Sequence, residues 1–471
     1  MAKKRNRKRN VTKSETDAGG WQPSYWMIVY DSDISLGKYQ QINQIRFLYL
    51  LDTPSSIFYT SFSLGSNLNF LSYFELLRMS RTDHVKSSPL LLLVAGAKGA
   101  VGSTLAIALA VMQKSPESVL PCLTTGKRFA YLGSLQDIYM AGWDTSDSTL
   151  LESIASHRVV PEKVYRSRIS EFERISAVKA PPSNIDIRTM VEKLGDDIRV
   201  FLDQHQGARP VFINLLPACE SVDFSACRDL AALYKMADAA RIPDLAYTLA
   251  AIHNGVPVVN FTPNAVEIPT VIDEAVKHGV PIAGRDGKTG QTYLKVVLAS
   301  ALKARNLLVD GWYSLNILGN DDGANLMNPH RAASKLRNKT DILDEILGYS
   351  VGEKYSSPSH KVHIDFYPPR GDAKEAWDAI DIKGLFGLPM SIRLNLQGRD
   401  SILAAPIVLD LARWATVLQA AGRVGPVPEL AFYFKKAVGE APPLTFEDQL
   451  TSLNRLEREC DANVNSQKPK A

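Results

Sequence analysis

The 471-residue chain is poor in cysteine, and its four cysteines include no C-x-x-C pair. This scarcity argues against a disulfide framework or a cysteine-based zinc site, and it suits the reducing cytosol. No apolar run approaches the roughly 20 residues that a membrane-spanning helix needs. We therefore expect a cytoplasmic protein with no membrane partner and no bound metal. We expect His360 and His363 to face solvent, with a pair of metal ligands as the alternative.

A strong net charge is also lacking once the amino terminus is set aside. The net charge is +4, but the first 14 residues hold seven Lys and Arg and no acid. Removing those seven positive charges leaves −3, so the body of the chain is mildly acidic. We expect a solvated basic tail and no nucleic-acid partner.

A complete phosphate-binding P-loop is absent as well. The stretch GRDGKTGQT, Gly284 to Thr292, contains a Gly-Lys-Thr ending, but Ile282 stands where the motif requires its first glycine. The chain therefore does not hydrolyse a nucleotide through this motif. Another role is needed for Lys288, which lies between two glycines.

The first 86 residues contain apolar and aromatic segments without a sustained period. A basic start followed by apolar segments is typical of a signal peptide, but the polar stretch SETDAGG separates the two parts. We expect residues 1–86 to be an extension that is disordered or not native, with Met79 as the native start. Residues 461–471 are expected to be a disordered tail.

Regular α/β alternation begins with PLLLLVAG, Pro89 to Gly96, a continuous apolar run that is typical of a buried parallel strand. Later apolar runs alternate with helical segments, which predicts a Rossmann-like doubly wound parallel sheet. We assign this domain to residues 87–284 and 396–460, so that the C-terminal helices return to it. Strictly alternating segments predict a second α+β domain at 285–395, for catalysis and oligomerisation.

The segment GAKGAVGS follows the first strand and opens the first helix. Its Gly96, Gly99 and Gly102 are suited to a tight turn, close approach of the backbone to a pyrophosphate, and an anion at the helix N-terminus. The spacing is G-x-x-G-x-x-G, and the acidic residue usual about 20 positions later is missing. The segment predicts a dinucleotide site, with a plain strand-to-helix turn as the alternative.

Seven further blocks occur in an order that resembles the myo-inositol-1-phosphate synthase (inositol-3-phosphate synthase) family. They are AGWD, PDLAYTLAAIHNGVPVVNFTPN, GRDGKTGQT, LNILGNDDGANL, SKLRNK, YPPRGDAK and RDSILAAPIVLDL. The resemblance implies an NAD-dependent isomerase (an intramolecular lyase) that converts D-glucose 6-phosphate into 1D-myo-inositol 3-phosphate. It implies oxidation at C5, enolisation, intramolecular aldol closure and return of the hydride, in a homotetramer. The alternative is a divergent NAD-dependent oxidoreductase acting on another phosphorylated sugar or polyol.

The resemblance also implies three groups of site residues. The catalytic group is Lys288, Lys335, Lys339, Lys374 and Asp286. The cofactor group is Gly96, Lys98, Gly99, Ala100, Val101, Gly102, Asp144, Asn214, Asp244, Thr262, Asp322 and Asp372. The substrate group is Asn264, Gly290, Gln291, Thr292, Leu318 and Asn320.

The local sequence around the lysines is suited to an anion site. Lys288 is predicted at the N-terminus of a helix, where anions are favoured. Lys335 and Lys339 share one helix face, for which a solvated basic surface is the alternative. Lys374 is predicted in the first turn of a helix, DAKEAWDAI, where a bound anion would explain a base.

The sequence differs from the family's usual pattern at three places. Lys98 replaces a glycine, Arg285-Asp286 replaces a pair of acids, and Thr262 to Ala265 replaces S-P-Q-N. These changes lie on the predicted cofactor and substrate walls. The stretch Asn320 to Gly323 is predicted as a tight loop that lines the substrate.

Overall fold

The computed structural model describes residues 88–126, 128–129 and 136–466, and the backbone of three strands nearer the amino terminus. The chain divides into two units, Met1–Val85 and Lys86–Ala471. In the first unit β1 (Ile28–Tyr30), β2 (Gln44–Leu50) and β3 (Ile57–Ser63) form an antiparallel sheet. These strands lie in the segment expected to be disordered or not native; the rest of that segment lies outside the described residues.

The second unit contains the remaining strands and all the helices described. The strands are β4 (Leu90–Ala95), β5 (Ile138–Asp144), β6 (Ile175–Lys179), β7 (Arg209–Asn214), β8 (Val258–Asn260), β9 (Pro281–Gly284), β10 (Leu308–Leu318), β11 (His360–Phe366), β12 (Ala373–Lys383), β13 (Pro389–Arg399) and β14 (Gly425–Pro426). The α-helices are α1 (Ala100–Met112), α2 (Leu150–His157), α3 (Glu162–Tyr165), α4 (Ile187–Gln204), α5 (Leu230–Met236), α6 (Pro243–His253), α7 (Pro269–Lys277), α8 (Gln291–Ala304), α9 (Asp321–Asn325), α10 (Pro329–Leu347), α11 (Asp400–Ala420) and α12 (Phe446–Ser466). Helix α12 thus continues to Ser466, beyond the predicted start of the tail.

Seven parallel strands form the main sheet in the order β14-β9-β8-β7-β4-β5-β6. The first strand of the unit, β4, lies inside the sheet between β7 and β5, and the chain winds outward from it in both directions. This order confirms the predicted doubly wound sheet.

The position of β4 in the sheet explains why its sequence is apolar throughout. Leu92 and Val94 pack into the core on one face of the sheet, with α1 and α11. Leu91 and Leu93 pack into a separate core on the other face, with α4 and α6. A strand buried on both faces has no position for a polar side chain, so the two-residue alternation is absent.

A second, mixed sheet has the order β11-β10-β12-β13. Strand β10 pairs in parallel with β11 and antiparallel with β12. Apolar side chains of α8 and α10, such as Val296 and Leu343, pack against Trp312 and Ile380 of this sheet. The α+β part predicted after residue 284 is therefore present, with β11 and β13 at the two segments that alternate in sequence.

The helix predicted at Lys374 is wrong. Residues 373–383 form β12, the strand hydrogen-bonded to both β10 and β13. Ile380 and Ile382 are buried while Asp381 between them is exposed, which is the two-residue period of a strand. Alanine, lysine and glutamate favour a helix locally, but pairing on both sides outweighs this weak preference.

Helix α11 is long and apolar enough to cross a membrane, yet 78% of its apolar window is buried inside the protein. It packs against α1 and against β7 of the main sheet. Its buried Asp410 accepts hydrogen bonds from the backbone and hydroxyl groups of Thr124 and Thr125, at 2.5 to 2.9 Å. These contacts are those of a core helix, and they confirm that the C-terminal region returns to the first sheet.

Candidate functional site

A cavity of about 730 Å³ opens at the carboxyl edge of the parallel sheet. One half is lined by the glycine-rich turn after β4 and by the end of β5. The other half is lined by the start of α8, by α9, and by side chains of α10, β12 and α11. Ligands of doubly wound proteins bind at this edge, where the chain switches direction across the sheet.

The glycine-rich turn has the geometry that its spacing predicts. Gly96 has a φ of +83°, which favours glycine. A Cβ at Gly102 would lie 2.5 Å from the carbonyl oxygens of Gly96 and Ala97, so only glycine allows the helix to pack this closely on the turn. Gly99 caps α1 without a side-chain hydrogen bond. The first N–H groups of α1 are therefore suited to an anion such as a pyrophosphate.

Asp144 supplies the acid that the simple spacing rule did not find. It ends β5, the neighbour of β4, and its carboxylate accepts hydrogen bonds from the backbone N–H groups of Lys98 (2.8 Å) and Ser146 (2.9 Å). The spacing rule fails because a long connection, 113–137, separates α1 from β5. An acid at this place in a Rossmann-like sheet is suited to the hydroxyl groups of a ribose.

Lys98 lies along the same wall and is directed back to the protein. Its Nζ donates to the backbone oxygen of Ser146 at 3.0 Å, and its side chain lines the cavity. The ammonium group therefore lies beside the loop that follows Asp144. Residue 98 is the position at which the family pattern has a glycine. Ala100, Val101 and Thr262, which belong to the predicted cofactor group, also line the cavity.

Three predicted site residues lie behind the cavity wall. Asp244 is fully buried and accepts hydrogen bonds from the side-chain amides of Asn214 (2.7 Å) and Asn264 (2.8 Å). Burial raises the pKa of Asp244, whereas the amide donors oppose that shift. The network joins the ends of β7 and β8, so these residues hold the wall in place and do not face the cavity.

Three lysine–aspartate pairs face each other in the second half of the cavity. Lys335 Nζ is 2.5 Å from Asp322 Oδ2, and Lys374 Nζ is 3.0 Å from Asp400 Oδ2. Lys435 Nζ lies 2.5 Å from Asp286 Oδ1. All six residues line the cavity, and we call them the lysine cluster.

The charges of the lysine cluster act on one another. Burial raises the pKa of Asp286, but the ammonium groups of Lys435 and Lys335 more than offset it, so its pKa lies below the usual value. Asp400 shows the same balance, with Lys374 as the main positive neighbour and a pKa well below normal. Burial lowers the pKa of Lys335, but Asp322 and Asp286 raise it above its usual value. These three groups are therefore charged at neutral pH.

Lys288 lies outside the cavity lining, although its neighbours line it. Its side chain is buried, and its Nζ donates to Ala431 O at 2.9 Å and to Gln449 Oε1 at 2.7 Å. Burial lowers the pKa of this lysine to about 7. Helix α8 begins only at Gln291, so Lys288 precedes the helix and anchors the motif to α12.

Lys339 belongs to α10, but its side chain lies outside the described residues. Asp372, predicted in the cofactor group, is not in the cavity lining either. It accepts hydrogen bonds from Ser401 at 3.0 Å and from Asn320 at 3.3 Å, and these two residues do line the cavity. Burial raises the pKa of Asp372. Asp372 therefore orients two lining side chains.

The predicted substrate residues also divide into those that line the cavity and one that lies behind its wall. Gly290, Gln291, Thr292, Leu318 and Asn320 line the cavity, whereas Asn264 lies behind it. The predicted loop after β10 is helix α9, because the Asn320 side chain accepts a hydrogen bond from Gly323 N and caps it. Both Asp321 and Asp322 of this short helix reach the cavity.

Two members of the lysine cluster were not found from the sequence. Asp400 opens α11 and is the first of the two acids in the quoted block RDSILAAPIVLDL, so that block already contained a signal for it. Lys435 has no local signal. It reaches Asp286 because Gly287 and Phe434 form an isolated β-bridge and Lys435 N donates to Asp286 O at 2.7 Å.

The expectation that His360 faces solvent is also wrong. Its side chain is buried on β11, and the Nζ of Lys295 lies 2.7 Å from its Nε2. Burial, followed by the charge of Lys295, lowers the pKa of His360 to about 3. This neutral imidazole accepts a hydrogen bond from Lys295 in the core between α8 and the second sheet.

The fold and the cavity define a Rossmann-like α/β protein with a second mixed sheet, and comparisons with known proteins agree. The family profile described as myo-inositol-1-phosphate synthase matches residues 290–401. The inositol-3-phosphate synthase 1 of Bacteroides thetaiotaomicron is 35% identical over 376 residues, covering 74% of this chain and 84% of that protein. The chain belongs to the inositol-3-phosphate synthase family.

More distant relatives and solved structures share the same name or fold. The inositol-3-phosphate synthase of Spirodela polyrhiza is 29% identical over 337 residues, covering 64% of this chain and 66% of that protein. The Caenorhabditis elegans inositol-3-phosphate synthase structure has a TM-score of 0.68 at 20% identity, covering 93% of this chain and 99% of that one. A related protein from Thermotoga maritima has a TM-score of 0.63 at 20% identity, with coverages of 79% and 98%.

Proposed function

We propose that this protein is an NAD-dependent isomerase that converts D-glucose 6-phosphate into 1D-myo-inositol 3-phosphate. Membership of the inositol-3-phosphate synthase family supports the reaction. The observation that carries the proposal is the lysine cluster, which faces the glycine-rich turn within one cavity. A phosphorylated sugar and a dinucleotide can thus lie side by side at the sheet edge.

NAD would be held by the first half of the cavity. The backbone of Gly99 and the first turn of α1 are suited to its pyrophosphate, and Asp144 to a ribose. Bound there, NAD would supply reversible hydride transfer, which leaves no net oxidation of the sugar. A Cβ at Gly99 would meet only Gly96 O, at 3.3 Å, so the backbone at Gly99 is open to such an approach.

The lysine cluster would bind the substrate and stabilise the charge that develops on it. Each ammonium group has three N–H donors, so one aspartate partner leaves donors for the phosphate and for the sugar oxygens. Negative charge grows on the sugar as it enolises, and preorganised cations stabilise that charge without further reorganisation. The ionised aspartates hold the lysines in place.

The proton donors of the site would be ammonium groups. Asp286 and Asp400 have lowered pKa values and are ionised, so they orient lysines and do not act as acids at neutral pH. Lys335, Lys374 and Lys435 each lie in the cavity, where they could exchange a proton with an oxygen of the substrate. Lys288 would act indirectly, by holding the loop that carries Asp286.

The proposal includes a cytoplasmic homotetramer. The second sheet has an edge strand, β13, and the turn before it exposes Leu385 (77%) and Phe386 (85%). Edge strands and exposed apolar groups of this kind favour pairing with another chain. Sedimentation of the purified protein would test the state directly.

Incubation of the full chain with labelled glucose 6-phosphate and a trace of NAD tests the reaction. We expect many turnovers per NAD, an inositol phosphate as product, and no accumulation of NADH absorbance. Stoichiometric NADH, formed without an inositol phosphate, would instead indicate an oxidoreductase acting on a phosphorylated sugar.

A further inference from the structure

Two histidines and a glutamate come together at the ends of α6 and α7. His253 is the last residue of α6, Glu274 lies in the last part of α7, and His278 follows that helix directly. The side-chain ligand atoms of all three lie within 4.8 Å of one another. None of these residues lines the cavity described above.

The spacing of these atoms is suited to a metal ion. His253 Nε2 is 3.2 Å and His278 Nε2 is 3.5 Å from the same atom, Glu274 Oε2. Ligands that bind zinc at about 2.1 Å with tetrahedral angles lie about 3.4 Å apart. A small rotation of the two imidazoles, whose ring centres are 5.1 Å apart, would complete the arrangement.

The surrounding charges act in both directions and leave one carboxylate oxygen available to a cation. Both histidines lie at helix C-termini, where the partial negative charge of the helix favours cations. The Nζ of Lys277 is 3.1 Å from Oε1 of Glu274, so it opposes a cation but leaves Oε2 available.

We propose that His253, Glu274 and His278 bind a divalent transition-metal ion, with Zn²⁺ as the best match, and that water completes the coordination. Imidazole and carboxylate ligands together suit zinc, and three protein ligands leave one position open. Helices α6 and α7 end just before β8 and β9 begin, so the site lies at the sheet edge opposite the cavity. Such an ion would clamp α6 to α7 and would not take part in the proposed isomerisation.

The test uses the full chain without a histidine tag, after treatment with a chelator. Titration calorimetry with ZnCl₂ should show one ion bound per chain, and CoCl₂ should give the visible absorption of a tetrahedral site. The variants His278→Gln and Glu274→Gln should each weaken Zn²⁺ binding at least about tenfold, since even outer-shell changes cost 10–100-fold. Zn²⁺ should raise the melting temperature of the wild type and of neither variant.

His330→Gln is the matched control, because His330 is exposed and distant in sequence from the three ligands. It should bind Zn²⁺ as the wild type does. Glucose 6-phosphate turnover should be unchanged in His278→Gln, which separates this site from the cavity. The proposal is overturned if the wild type binds no stoichiometric Zn²⁺, or if both ligand variants bind it as tightly as the wild type.

Discussion

At the residue scale, the cavity depends on a few buried charges whose partners come from distant parts of the chain. Lys374 is the member of the lysine cluster on β12, and its side chain is only 11% exposed beside Asp400. Nothing in a strand requires a lysine at this position. In the proposed function, a substrate that gains negative charge gives the reason for one.

We therefore expect Lys374→Met to fold and to bind NAD while turnover of glucose 6-phosphate falls by about 10²–10³. Methionine retains the apolar stem and removes only the charge. The control is Lys383→Met at the other end of the same strand, where the lysine pairs with Asp310 away from the cavity. Steady-state rates and thermal melts on both variants give the comparison; equal rates would refute a role for Lys374.

Lys288 leads to a different prediction because its side chain is buried outside the cavity. Its pKa is about 7 in the folded protein, against an ordinary value of 10.5. Between these two values the unfolded chain binds more protons than the folded chain, so stability should rise with pH across that window. Below pH 7 the full cost of the buried charge is present.

In Lys288→Met the rise of stability from pH 7 to pH 10 should be smaller than in the wild type. It should not vanish, because burial also lowers the pKa of Lys295 to about 8. Urea denaturation at several pH values measures the slope, with exposed Lys193→Met as the control. A slope equal to that of the wild type would mean that Lys288 is charged in the folded state. The effect of Lys288→Met on turnover should be smaller than that of Lys374→Met.

At the scale of elements, the turn between β4 and α1 contains one glycine suited to ligand binding and another needed for folding. A Cβ at Gly99 meets no backbone atom closer than 3.3 Å, whereas a Cβ at Gly102 would lie 2.5 Å from two carbonyl oxygens. The two glycines therefore serve different purposes. Gly99 leaves room for a ligand, and Gly102 allows the helix to pack on the turn.

Gly99→Val should weaken NAD binding strongly with little loss of stability. Gly102→Ala should instead lower the free energy of unfolding by about 1–3 kcal/mol, as overpacking does. Calorimetric titration with NAD and denaturant unfolding on the same samples distinguish the two effects. Wild-type NAD affinity in Gly99→Val would show that the pyrophosphate binds elsewhere.

At the scale of the whole molecule, the chain divides between Val85 and Lys86. The described residues of the α/β unit form two cores, one on either face of β4. A chain that begins at Met79 should accordingly be soluble and retain glucose 6-phosphate turnover. The shortened and full chains would be compared by melting temperature and rate. An insoluble shortened chain beside an active full chain would contradict this prediction.

Much of the fold could be predicted from sequence because the relevant signals are local. A strand buried on both faces must be apolar along its length, so β4 was recognised from its own residues. Gly96 to Gly102 form a tight turn followed by a helix start, and this signal is also contained within a few residues. The apolar character of α11 indicated that it packs into the core.

The lysine cluster could be predicted only in part, because its geometry depends on contacts distant in sequence. Lys335 lies in a motif of its own, but Lys435 joins the site only through the pairing of residue 434 with residue 287. The strand state of Lys374 was likewise decided by its two neighbouring strands, against local helix preference. Lys288 lies in a motif that predicted an anion site, yet its direction was decided by α12, where Gln449 offers an oxygen. Sequence alone thus determined the elements of the parallel sheet and the glycine-rich turn that follows its first strand, but it did not determine β12. Tertiary packing decided which charged groups face the cavity, because burying a charge requires a partner, and that partner can come from any part of the chain.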